Sequence, residues 1–231
     1  MKELVTKKFI LSYQDGLDDF IERSLKIVDE RMPLIGKLFS CNEDTAIKLK
    51  ASFFTKREDF IEYIKSVSGG KTFPAWVTGC FYNGEIQTLV NINDADDVKF
   101  KAHILTHEMA HLYIENTIYS KYNIDRIRWF DESYAGFLDG HMKNRINKQF
   151  REICLELKRL GNFDMNSIDD VNDVITKNYN GYNMFRIIGK YIFENDLAKK
   201  YLDLLKNNPS TIREIGKDIL PKAIKYVENS L

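Results

Sequence analysis

Two histidines four residues apart, with a glutamate after the first, are the side chains in this chain best suited to catalysis. They occur in His107-Glu108-Met109-Ala110-His111. An α-helix turns about 100° per residue, so His107 and His111 share one face and lie about 6 Å apart along the axis. That spacing lets both imidazoles reach one zinc ion at nitrogen distances of about 2.0–2.1 Å. Glu108 stands one step round the helix, beside the ion's open position. There it can take a proton from water without itself binding the metal. The surrounding Ile104, Leu105, Ala110, Leu112 and Ile114 are apolar. A polar trio on so apolar a helix faces an interior cleft, where burial without a metal would be costly.

A third ligand has to come from elsewhere in the chain. His103 and Glu115 extend the same series, but about 12 Å of straight helix separates His103 from His111 and Glu115 from His107. Ligands of one tetrahedral zinc sit only about 3–4 Å from each other, so neither residue fits. The stretch Arg128-Trp129-Phe130-Asp131-Glu132-Ser133-Tyr134-Ala135 supplies two acids at an expected helix start. An acid at that place also serves as a cap, because a carboxylate is favoured at a helix N-terminus. We divide the roles: Asp131 caps or orients, and Glu132 binds. The 20 residues between His111 and Glu132 leave room for a helix end, a loop and one helical turn.

These residues resemble the gluzincin zinc metallopeptidases, the group that includes thermolysin and aminopeptidase N. In that family HExxH is followed by a second helix bearing a ligand glutamate, often as W-x-x-E-G-x-A. Here Trp129, Glu132 and Ala135 match, and Ser133 replaces the usual glycine. The segment 77–92 is similar to the family's strand pair before the HExxH helix, whose second strand is a sheet edge along which substrate lies. The segment 179–192, YNGYNMFRIIGKYI, is similar to a downstream helix whose tyrosine stabilises the tetrahedral intermediate. The resemblance covers roughly residues 74–195. It implies one zinc ion per chain on His107, His111 and Glu132, with Glu108 as base. The oxyanion donor is Tyr179 or Tyr182, with Tyr179 the closer match. It also implies an extended peptide or protein substrate paired along an edge strand at 85–92.

The elements that must position this site read as an α+β protein. A strand is expected at 7–13 and another at 46–54, separated by a helix over 15–39 that Pro33 kinks or divides. Thr55 and Glu58 suit a capping box ahead of a helix through Phe60, Ile61 and Ile64. Asn83-Gly84 suits a two-residue hairpin turn within 74–92, where Ile86, Thr88, Val90 and Ile92 alternate on the second arm. From Asp94 onward only helices are expected, near 96–118, 131–159 (as one helix or interrupted), 167–177, 181–194, 196–207 and 210–229. Taken with the resemblance, these elements imply one zincin-like domain. Its sheet-containing half, 1–95, packs on a helical half, 96–231, with the active-site helix between them.

Composition narrows the function. A 44% hydrophobic, 13% aromatic chain of 231 residues can bury a substantial core. Lys and Arg together number 34, as do Asp and Glu, and this balance argues against nucleic acid as the main partner. No apolar run suits a signal peptide or a membrane span, so a cytoplasmic protein with no membrane partner is expected. Cys41, Cys80 and Cys154 lack short-spaced partners and read as free thiols. Zinc-dependent peptide hydrolysis is the leading reading. The alternatives are an inactive zinc-binding regulatory module with a peptidase fold and a regulatory protease with one protein target.

Overall fold

The computed structural model describes residues 1–40, 48–70, 77–82, 84–141, 147–159, 163–168 and 181–230. The chain divides into two compact units, Met1–Glu30 with Asn42–Leu105, and Arg31–Cys41 with Thr106–Leu231. The first boundary in the chain falls inside a helix, and the last lies ten residues beyond the expected division at 95.

The first unit holds a five-stranded mixed sheet of order β1-β2-β3-β5-β4. Its strands are β1 (Lys2–Val5), β2 (Phe9–Tyr13), β3 (Leu49–Phe54), β4 (Gly79–Tyr82) and β5 (Glu85–Leu89). β1 is not among the expected strands and pairs antiparallel with β2; its four residues show no buried face and so give no alternation to read. β2 and β3 run parallel, and so do β3 and β5. Parallel neighbours require long crossovers; α1 (Asp18–Phe39) supplies the first, and α2 (Arg57–Val67) lies within the second. Gly84, at φ 75°, closes the β4–β5 hairpin, with Tyr82 opposite Glu85 as a two-residue turn requires.

Packing accounts for the elements of this unit. Phe20 of α1 sets its ring edge-on to Phe53, centroids 5.3 Å apart. Phe60 and Ile64 of α2 bury against Phe54 of β3, with Leu89 and Cys80 alongside. α1 runs through Pro33 without ending. Thr55 does not form the expected capping box. Its hydroxyl and its N–H both meet the Gln14 side-chain oxygen, at 3.0 and 2.7 Å, and α2 starts after Lys56 with no side-chain cap. The expected edge strand at 85–92 is also corrected. β5 is hydrogen-bonded on both sides, by β3 and β4, and has no free edge to offer a peptide.

Beyond β5 the described residues contain only helices and connecting segments. The expected helix at 96–118 is broken: α3 (Ala95–Lys101) ends before His103, and α4 (Ile104–Ile114) follows. A π-helical turn, Glu115–Tyr119, and a last α turn, Ser120–Tyr122, extend α4 to Asn123, whose φ of 52° ends it.

In the second unit the helical stretch expected at 131–159 is the interrupted form, two helices, α5 (Arg128–Leu138) and α6 (Asn147–Lys158). Gly140, at φ 78°, terminates the first. Among the described residues a 3-10 turn (Met165–Ser167), α7 (Gly181–Glu194), α8 (Ala198–Asn207), α9 (Pro209–Gly216) and α10 (Ile219–Asn229) follow. The last two replace a single expected helix at 210–229. The helix expected at 167–177 lies largely outside the described residues. No helix among the described residues is long and apolar enough to cross a membrane.

α5 is the axis of the second unit. Every residue from Trp129 to Gly136 is buried, the two acids included. α7 packs closely along it, and a Cβ added at Gly189 would fall 2.3 Å from the Ser133 carbonyl oxygen. Ser133 is thus part of a helix crossing. The Ser133 hydroxyl turns back onto its own helix, donating to the Trp129 carbonyl at 2.5 Å. Phe130 stacks on Tyr134, and Phe193 of α7 covers Tyr134 and Phe137. From the second half of α1, Arg31 donates to the carbonyls of Leu138 at 2.7 Å and Phe137 at 3.0 Å, satisfying the C-terminal end of α5.

Gly189→Ala tests this crossing. The methyl meets backbone, so the helices must separate, at a cost of about 1–3 kcal/mol or more. The melting temperature should drop by several degrees. Gly79→Ala, whose added methyl would find its nearest neighbour at 3.6 Å, should cost less. Equal stability of Gly189→Ala and the parent chain would show that the contact is not close.

Candidate metal centre

The second unit brings His107, His111 and Glu132 together. His107 Nε2 and His111 Nε2 are 3.1 Å apart, and Glu132 Oε2 lies 3.6 Å from the first and 3.7 Å from the second. Three ligand atoms on one tetrahedral ion are separated by about the same amounts. The group could hold a metal ion.

A second observation supports the fit. Glu132 is 6% exposed, and its Oε2 has no hydrogen-bond partner. A buried carboxylate oxygen without a donor is expensive. A cation at the centre of the triangle would satisfy it. The other oxygen, Oε1, faces Arg128 at 3.7 Å and Arg126 at 3.9 Å, so the two halves of the carboxylate look at different partners.

The imidazoles are held from behind. His111 Nδ1 lies 2.9 Å from Asp131 Oδ1, and His107 Nδ1 lies 3.2 Å from Asp139 Oδ2. Each carboxylate accepts an Nδ1–H, which leaves Nε2 as the free lone pair aimed at the centre. Asp131 in turn accepts from Arg126, and Asp139 Oδ1 accepts the His141 N–H at 2.7 Å. Asp131, Glu132 and Asp139 all belong to α5 or its first residue beyond. Asp131 is therefore an orienting residue. It does not cap, because the helix starts at Arg128, a turn earlier than expected, and Ile127 precedes it with no side-chain cap.

The start of α5 is fixed by Tyr119 in the π-helical turn. Its hydroxyl accepts the Ile127 N–H at 3.2 Å and donates to the Ile127 carbonyl at 3.3 Å. One phenol therefore clamps the loop that delivers Glu132 to the histidines of α4.

The charges respond to this packing. Burial works against a charged His107, yet the neighbouring carboxylates of Asp139 and Glu132 outweigh it and raise the imidazole to about 10. His111 moves the same way: burial lowers it, and Asp131 and Glu132 raise it further. Burial pushes Glu132 up, but His111 and His107 win and bring it down to about 2. The carboxylates around the two imidazoles thus favour positive charge at the centre of the group.

The remaining candidates divide. Glu108 lies on α4, partly buried, with its charge felt by His107 and Tyr182. Tyr182 starts α7, and burial first and the Glu132 charge second push its phenol up to about 12, so it stays a donor at neutral pH. Tyr179 lies outside the described residues. His103 sits in the turn between α3 and α4 and is not among the clustered ligands. Glu115 is exposed and accepts from Ser120 at 2.5 Å. Of the cysteines, Cys80 is partly buried and Cys154 buried; burial pushes both thiols up to about 11, away from reactive thiolates. Cys41 lies outside the described residues.

Sequence reasoning missed Asp139. The available signal was its spacing, seven residues after Glu132, which is two helical turns and the same face. It also missed Arg186 on α7, whose side chain passes over Gly136 with a 3.3 Å approach to a Cβ placed there. Burial lowers this guanidinium, and the Asp139 charge partly restores it.

Neither a scan against protein-family models nor a search of curated protein sequences finds a match to this chain.

If the group holds a divalent metal ion, Asp139→Ala should weaken that binding about 10–100-fold while the fold is retained, since it frees the His107 ring to rotate. Competition against a chelator of known affinity measures this. An unchanged affinity would mean that α4 packing alone orients the ring.

Proposed function

We propose that this protein is a zinc-dependent peptidase of gluzincin type, with His107, His111 and Glu132 as metal ligands. The observation that carries the reading is the triangle of Nε2, Nε2 and Oε2 atoms within a sequence that also places a glutamate directly after the first histidine. A zinc ion there supplies Lewis acidity toward a water and a substrate carbonyl.

The chain's own residues supply the rest. Glu108 is next to His107 on the same helix and serves as the base that takes the water's proton and later passes it to the leaving amine. Tyr182 remains protonated and serves as hydrogen-bond donor to the oxyanion. Tyr179 is kept as the alternative donor. Asp131 and Asp139 hold the two imidazoles in the tautomer that presents Nε2. Arg128 and Arg126 balance the Glu132 oxygen that faces away from the centre. The substrate class is a peptide or protein. β5 cannot be its docking strand, because both edges of β5 are paired.

Metal analysis and a peptide-library digest test the reading together. The purified protein should carry about one zinc per chain. Glu108→Gln should keep that zinc and lose hydrolysis by orders of magnitude, because an amide cannot accept the proton. Zinc-loaded parent protein that cleaves nothing in the library would instead favour a zinc-binding module without catalysis. Among active variants, Tyr182→Phe should lower the turnover rate about a hundredfold to a thousandfold with little change in Michaelis constant. A native rate in Tyr182→Phe would move the donor role to Tyr179.

A further inference from the structure

Beside the metal centre, and still within the second unit, lies a cavity of about 170 Å³. Three arginines, Arg126, Arg128 and Arg213, are among its lining residues, together with Asn166, Trp129 and Met165. No carboxylate lines it among the described residues. Its volume is close to that of an engineered cavity that takes up benzene, about 150 Å³. A phosphate, or a carboxylate with a few carbons, fits such a space.

The walls are built and tightly packed. The Trp129 indole N–H donates to Asn166 Oδ1 at 3.2 Å, and Asn166 Nδ2 donates to the Arg213 carbonyl at 2.7 Å. This ties the start of α5 to α9 through one side chain. Gly216 closes the same corner; a Cβ there would fall 2.6 Å from Trp129 Nε1.

The charged residues lining this cavity are all cationic, with carboxylates just behind them, among them Asp164, which accepts from Asn166 Nδ2 at 2.7 Å. Arg126 and Arg128 are partly balanced by Asp131 and Glu132, but those carboxylates also face the imidazoles of the metal centre. Arg213 is exposed and makes no ion pair among the described residues. Three like charges around one small space repel each other, and the planar forks of guanidinium match the oxygens of carboxylate and phosphate. The apolar wall of Trp129 and Met165 lowers the local dielectric and strengthens that attraction.

We infer that this cavity is a binding site for a small oxyanion, the carboxylate or phosphate group of a ligand, held by Arg213 with Arg128 and Arg126. The inference goes beyond the peptidase reading and does not require the neighbouring centre to be hydrolytic.

Calorimetric titration at low salt, with inorganic phosphate and separately with succinate, tests it. One molecule of at least one anion should bind per chain, and the tighter of the two identifies the phosphate or carboxylate source. Arg213→Ala should weaken that binding about tenfold or more, as expected for loss of a charge-assisted donor, and Arg213→Glu should weaken it further. Arg213 touches none of the metal ligands, so zinc content and circular dichroism should match the parent chain in both variants. An anion held by the zinc itself would survive both substitutions. Saturable binding that is unchanged in both variants, or the absence of saturable binding of either anion, would overturn the inference.

Discussion

Two imidazoles of α4 face three carboxylates presented from α5, and the rest of the second unit is arranged around that confrontation. Asp131, Glu132 and Asp139 are each no more than 6% exposed. Isolated ionised carboxylates at such depth would cost far more than a fold of this size can supply. They are tolerated because each meets positive charge or a donor: Asp131 meets His111 and Arg126, Asp139 meets His107, and Glu132 meets both imidazoles and Arg128. The same pairings orient the rings. Charge balance and ligand geometry are therefore one constraint here, and removing any member affects both.

That constraint explains why α5 is so closely held. Its start is clamped by the Tyr119 hydroxyl on Ile127, and its end by Arg31 on the last carbonyls. Its flank meets α7 at a crossing where Gly189 lets the α5 backbone at Ser133 approach closely. A ligand set of this kind works only if it is placed to a fraction of an ångström. Small residues at a crossing serve that end, because backbone-to-backbone contact is stiffer than contact through long side chains.

Glu132 has a double position. One oxygen faces the two imidazoles of the candidate metal centre and the other the arginines that also line the basic cavity. A change in the charge on either side is felt through a single carboxylate. This gives the two sites a direct electrostatic connection and needs no conformational change to carry it.

Much of the site is legible in the amino-acid sequence alone. His107 and His111 follow from the helical repeat, which is a local property, and Glu132 follows from a short pattern at a plausible separation. The α+β class and the β4–β5 hairpin are likewise legible, because alternation and an Asn-Gly pair act over a few residues. Tertiary contacts decided the rest. The Thr55 hydroxyl bonds Gln14, 41 residues away, and so does not cap the next helix. The order of strands put β5 inside the sheet, because parallel pairing with β3 is a long-range choice that alternation cannot express. Asp139 became an orienting residue only because the α4 and α5 axes bring it to His107, across 32 residues of chain. The basic cavity joins residues 126–129 to 165–168 and 213, and nothing in any one segment announces it. Local periodicity dictates which side chains share a face. Which faces then meet depends on the burial of a whole core and on the balance of the charges trapped inside it.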